Sequence, residues 1–219
     1  MKMTLKNRSG FTLVEMLVVL GILAILIGAS LGGYTAVTRR AQKARGLELV
    51  SNVATALNVL FQRQGHWPKA LLREGQSGNG RLTAEAGACI AANKLMALTA
   101  NTVTTDGETT YRLTGLDRCG IVTPWASAVL KRMSTGDSGL SARVPSGGTV
   151  EDHQLHFALD DDGDGIVEVR LGTATVKVRT NAAVWCWGMN GKEDDYEASM
   201  AGRGKADDIY SWTRAQEVK

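Results

Sequence analysis

The sequence predicts an α+β fold: one long N-terminal helix packed on a small antiparallel sheet, with a helical and loop-rich insertion in the head. Three observations carry this. Met16 to Thr38 is a run of 23 residues without a charge, and it leads into an amphipathic period over 47–61. Gly65 and then Pro68 follow that period in the order in which helices stop. The last third of the chain breaks into short alternating runs separated by turns, the pattern of antiparallel strands.

The first ten residues are short, polar and basic, with Lys2, Lys6 and Arg8. A glycine, Gly10, stands before the apolar run, whereas a secretory signal places its cleavage site after one. The uncharged run with Phe11 to Val14 is long enough to cross a hydrocarbon core of about 30 Å. Glu15 is the exception in it, and an acidic residue in such a segment is a functional candidate whose partner must be sought. Arg39, Arg40, Lys43 and Arg45 follow the run, so the distribution of positive charge does not orient it by itself. Leu47, Val50, Val53, Ala54, Leu57, Leu60 and Phe61 then recur at three- and four-residue steps, one face of a helix. A single helix over about 11–64 is expected, its second half forming the spine of the head.

Residues 69–81 read as loop, Leu82 to Thr99 as an alanine-rich helix, and Thr109 to Leu113 as a strand. Thr123-Pro124 predicts a helix start with proline at the first position, running to about Met133, and 134–148 reads as loop. His153–Leu159, Ile166–Leu171, Thr175–Arg179 and Val184–Gly188 predict a C-terminal β-meander. Three cysteines are too few for a disulfide framework. Cys89 and Cys119 could close one bridge in an exported head, with Cys186 left over, or all three are small buried side chains.

Charge is unevenly placed along the 219 residues, whose formal net charge is +3. The basic front, up to Arg45, suits a membrane surface, and the acidic stretch from Glu151 onward suits cations. Asp160, Asp162 and Asp164 occupy positions 1, 3 and 5 of a calcium loop, with Gly165 at 6 and the Ile166 carbonyl at 7. Leu171 stands where an EF-hand has its bidentate glutamate, and Glu168 at position 9 is the candidate substitute. An incomplete loop of this kind implies calcium affinity of about 10⁻⁴–10⁻³ M. The competing reading is a solvated acidic hairpin turn. The three histidines, His66, His153 and His156, form no chelating pair, and no nucleophile elbow, phosphate loop or zinc spacing is present. No enzyme is expected.

Gly10-Phe11-Thr12-Leu13-Val14-Glu15 with its apolar run resembles the cleavage and methylation motif of type IV prepilins and of the pseudopilins of type II secretion. The resemblance implies a leader over 1–10 and a prepilin peptidase that cuts between Gly10 and Phe11. It implies N-methylation of Phe11 and a transmembrane and filament-core helix over 11–38. It also implies a helical spine over 39–65 and an extracytoplasmic head over 66–219. In the family Glu15 would neutralise the new amine of Phe11 on a neighbouring subunit, fixing register because an unpaired buried charge is penalised. The family's proline near Gly28, Gly32 and Gly33 is absent. Gly65-His66-Trp67-Pro68 resembles the helix exit of major pseudopilins. Trp187 to Asp195 with Asp207-Asp208-Ile209…Trp212 resembles their C-terminal calcium loop, which implies ligands from Asn190, Asp194 or Asp195, Asp207 and Asp208.

Compared with that family, 69–150 stands out as an insertion. The implied partners are further copies in a filament, other minor pseudopilins, an inner-membrane assembly platform and membrane lipids. The patch at 39–45 is assigned to lipid phosphates rather than to nucleic acid. The implied location is the bacterial inner membrane in a single pass before assembly, with the leader cytoplasmic and the head periplasmic or extracellular. The implied function is a structural subunit, either a secretion pseudopilin or a type IV pilin for adhesion, motility or DNA uptake. A membrane-tethered binding module is the alternative of a different class.

Overall fold

The computed structural model describes residues 12–75, 78–105, 108–133, 139–203 and 206–218. Gly10 and Phe11, where cleavage and methylation are expected, lie outside the described residues. Helix α1 spans Leu13–Gln64. The chain divides into two compact units, Met1–Ala41 and Gln42–Lys219, which are described separately.

Among the described residues of the first unit the large apolar side chains are exposed. Leu13 is 82% exposed and Ile25 73%. At roughly 1.5–3 kcal/mol per large apolar side chain left in water, this face requires a lipid or protein environment.

In the second unit α1 has one buried face, with Val50, Val53, Leu57 and Leu60 at 0% exposure. Gly46 allows close approach there: a Cβ would lie 2.9 Å from the Ile209 side chain and 3.6 Å from Trp125. The helix ends as the sequence predicts. Gly65 takes φ +68, its N–H donates to the Phe61 carbonyl at 2.8 Å, and Trp67 stacks on Phe61 with ring centroids 4.8 Å apart.

Helix α2 (Lys69–Gly75) then forms where loop was expected, because the Pro68 carbonyl accepts from both Leu71 and Leu72 N–H and Leu71 is fully buried. Strand β1 (Gly80–Arg81), helix α3 (Ala84–Ala92), strands β2 (Ala100–Thr105) and β3 (Glu108–Leu113), and helix α4 (Pro124–Leu130) follow. Helix α3 is shorter than predicted, starting at a Thr83 N-cap. Helix α4 begins at Pro124 as predicted and stops three residues early.

The C-terminal strands are β4 (His156–Leu159), β5 (Ile166–Leu171), β6 (Ala174–Arg179), β7 (Ala182–Cys186) and β8 (Ile209–Tyr210), with helix α5 (Tyr196–Met200) between the last two. They do not form one meander. The main sheet has the order β1-β4-β7-β8, and β5 pairs β6 in a separate hairpin. His153 lies in a 3-10 turn ahead of β4 rather than in it. The physical reason is that β4 and β7 are buried on both faces, so each face needs a cover. Phe157, Leu159, Val184 and Cys186 belong to the core under α1. Ala158, Ala183 and Trp185 pack with Val167, Val169 and Val178 of the hairpin and with Trp212.

The stretch 69–150 is a structural part of the head. Leu71, Leu82, Ile90, Trp125 and Leu130 lie in the main core with α1, and β1 is an edge of the main sheet.

Candidate functional site

Three local structures hold the residues singled out in the sequence. At the start of α1, Thr12 N–H and Oγ1 both donate to Glu15 Oε2, at 2.9 and 2.8 Å, and Glu15 N–H donates back to Thr12 Oγ1 at 3.3 Å. This is a capping box. Its signal, Thr-x-x-Glu at 12–15, is plain in the sequence but hidden when Glu15 is read as a lone charge. Glu15 is exposed and fixes the first turn of its own helix.

The turn between β4 and β5 holds the first acidic loop. Asp160 is 2% exposed; its Oδ1 accepts from Gly163 N–H at 2.7 Å and its Oδ2 from Gly165 N–H at 2.8 Å. Asp164 Oδ1 accepts from Ile166 N–H at 2.7 Å. Gly163 and Gly165 take φ +80 and +78, the left-handed region that glycine enters at least cost. The backbone of Asp160 is anchored too, since its carbonyl accepts from the Trp67 indole at 2.6 Å. Sequence reasoning did not anticipate that tie, which spans 93 residues. Carboxylate oxygens of Asp160, Asp162 and Asp164 lie within 4.8 Å of one another. Glu168, the expected fourth acid, is not in that group. It points to Lys177 across the hairpin, with Nζ and Oε1 2.7 Å apart, because the register places the two residues opposite each other. Ile166, the expected carbonyl ligand, opens β5 opposite Arg179.

The second acidic loop joins β7 to β8. Oxygens of Asp194, Asp207 and Asp208 lie within 4.8 Å of one another. Asp208 is 6% exposed; it accepts from Gly188 N–H at 3.1 Å and Asp194 N–H at 2.9 Å. Asp207 Oδ2 accepts from Met189 N–H at 2.8 Å, while its Oδ1 is buried with no hydrogen-bond partner among the described residues. Burial, reinforced by the neighbouring carboxylates, raises the Asp208 carboxyl to about 6 and raises Asp207 in the same direction. Gly188 is required here, as a Cβ would collide with the Asp207 carboxylate. Asn190 stands beside the group, its Nδ2 3.5 Å from Asp194 Oδ1. Asp195 does not join it: its Oδ1 accepts from Ala198 N–H at 2.8 Å and caps α5. Of the two, Asp194 is the one that lies beside Asp207 and Asp208.

The prokaryotic N-terminal methylation motif family matches residues 5–31. A type IV major pilin protein, PilE of Neisseria gonorrhoeae, is 34% identical over 62 residues, which cover 28% of this chain and 37% of that protein. These matches make the chain similar to type IV pilins over that part of its length. No solved structure matches it. The chain spans little more than a third of the curated relative it matches, and the family motif lies wholly in the N-terminal segment.

Among the described residues of this pilin-like chain, no helix is long and apolar enough to cross a membrane. Cys89, Cys119 and Cys186 form no disulfide among the described residues, so the possible Cys89–Cys119 bridge is not formed in this structure. Two of the three histidines, His153 and His156, serve the core, while His66 is exposed. His153 Nδ1 lies 3.0 Å from Thr123 Oγ1 and its Nε2 2.9 Å from the Gly147 carbonyl. His156 lies 2.7 Å from Asn79 Oδ1 through Nδ1, between Trp185 and Trp187 with centroids 5.6 and 4.2 Å away. Burial lowers its pKa to about 3, so it is neutral at pH 7.

Proposed function

We propose that the chain is a structural subunit of a pilus-like filament, matured by a prepilin peptidase between Gly10 and Phe11 and methylated on Phe11. The observation that carries this is the methylation-motif match over 5–31, joined to a helix whose apolar side chains stand exposed in the single chain. An exposed apolar stripe of that size marks a surface that must be covered by lipid or by other subunits. The motif's Phe11 amine exists only after cleavage. Glu15 would then pair with that amine on a neighbour, exchanging part of its capping role for an intersubunit charge pair. Before assembly the helix is held in the inner membrane, with the head on the far side from the leader.

Within that class we assign the chain to the type II secretion pseudopilins. Its Asp194, Asp207 and Asp208 carboxylates gather in the loop that resembles theirs. A type IV pilin is the second reading, favoured by the match to PilE. Mass spectrometry of the protein from cells containing the peptidase should give N-methyl-Phe11 as the first residue; an intact Met1 terminus refutes maturation. Deleting the gene should abolish secretion of exoproteins and leave surface pili intact. Loss of pili, motility or DNA uptake with secretion intact selects the pilin instead.

Calcium belongs to the same proposal. In the second loop, Asp194, Asp207 and Asp208 offer hard oxygen donors, and the unpartnered Asp207 Oδ1 is an acceptor for which a cation would compensate. In the first loop, Asp160, Asp162 and Asp164 are available, but Glu168 is engaged by Lys177. The second loop is therefore the tighter of the two. A cation binding the folded state adds about 2.7 kcal/mol at 100-fold excess over Kd. EDTA should lower the thermal midpoint of the purified protein and calcium should restore it; an unchanged midpoint rejects a structural calcium.

A further inference from the structure

The head carries an acidic groove that borders the second acidic loop and shares Asp194 with it. It has a volume of about 1090 Å³ and lies between β6, the start of α5 and the C-terminal residues 217–218. Its floor includes Leu171, Val176 and Tyr196, and its lining carries Glu193, Asp195, Glu197 and Glu217. Lys177 is the sole cation of that lining, and it is already paired with Glu168. Glu197 is paired with Arg214, whereas Glu193 and Asp195 have no ion pair among the described residues and both are exposed. The outer edge of β6 is covered by the Val218 N–H at Lys177. From Ala174 to Val176 it has no strand partner among the described residues.

A complementary surface lies elsewhere on the same chain. Arg39, Arg40, Lys43 and Arg45 fall within two turns of α1 and all four are exposed, with Lys43 within electrostatic reach of Asp207 of its own chain. We propose that the groove receives this basic segment of α1 from a second copy of the chain. The inference rests on the filament reading above and adds its contact. Two different, complementary patches on one chain form a heterologous, head-to-tail contact, and such contacts propagate as open helical filaments when they do not close into rings. A groove with an acidic rim and an apolar floor suits a helix with basic side chains, whose aliphatic stems lie on the floor while their charges reach the rim. The contact is strengthened at low ionic strength and screened by salt.

The test uses the full-length protein in cells that assemble it. Cysteines placed by Glu193→Cys and Arg45→Cys should cross-link between chains and give a ladder of oligomers from isolated filaments. Arg40→Glu/Arg45→Glu should lower filament yield by about tenfold or more, because like charges then face each other. Adding Glu193→Lys/Glu197→Lys to that variant should restore most of the yield. Filaments that form normally without the cross-link and ignore charge reversal overturn the docking proposal and leave the filament reading standing. A bond confined to one chain, or to a different polypeptide, also overturns it. A wild-type protein that forms no filament at all removes the filament reading itself.

Discussion

At the scale of single residues, burial separates groups that look alike in the sequence. Asp160 and Asp161 are neighbours, yet Asp160 is held by Gly163, Gly165 and its carbonyl tie to Trp67, while Asp161 is exposed. Asp194 and Asp195 divide the same way, one into the carboxylate group and one onto the α5 cap. His156 gives a test with a definite sign. Its pKa falls from 6.5 unfolded to about 3 folded. Protons therefore favour the unfolded chain, and the stability His156 permits is fully present above about pH 6.5 and lost as pH falls towards 3. Near pH 5 the loss is about 2 kcal/mol. Asp207 and Asp208, with raised values, act oppositely, so the readout is a difference: denaturant titrations from pH 7 to 5 should show a shallower acid loss in His156→Gln than in the wild type. Equal slopes would mean that His156 is not held neutral.

Among the elements, the β5–β6 hairpin decides which residues can serve the first calcium loop. Its register places Glu168 against Lys177, and the pair is more than half exposed on both sides. Exposed pairs contribute at most about 1 kcal/mol, so Glu168→Ala should change stability little. It should also leave calcium affinity at Asp160, Asp162 and Asp164 within about twofold, as read by titration calorimetry; a tenfold loss, 1.4 kcal/mol, would restore Glu168 as a ligand. The spine of α1 behaves differently. Leu57 is fully buried under β4 and β7, and Leu57→Ala should cost about 2–5 kcal/mol, measured as a lower denaturation midpoint with little change in slope.

For the head as a whole, the decisive point is that residues 69–150 share one core with the rest. Leu82, Ile90, Trp125 and Leu130 pack in the same cluster as Leu57, Phe157 and Val184. Replacing 78–148 by a short flexible linker should therefore abolish cooperative unfolding and the near-ultraviolet dichroism of the buried tryptophans. A truncated head that still unfolds in a single sharp transition would show the stretch to be a separable insertion after all.

Much of this was legible in the chain itself. Periodicity set the length of α1, Gly65 and Pro68 set its end, and alternation placed β5 and β6 to within a residue. These features depend on neighbours three or four positions away, which the sequence displays directly. The Gly10–Glu15 motif carried the resemblance to type IV prepilins for the same reason. Tertiary structure decided the rest. Pairing of β4 with β7, the helix at 69–75, the place of 69–150 in the core and the grouping of Asp194, not Asp195, with Asp207 and Asp208 all follow from contacts between distant segments. Asp160 and Trp67 are 93 residues apart, and no local pattern records that one's carbonyl accepts the other's indole N–H. Burial on both faces of β4 and β7 fixed those long-range pairings, because a sheet apolar on both sides must be covered twice, and which segments cover it is a property of the whole chain.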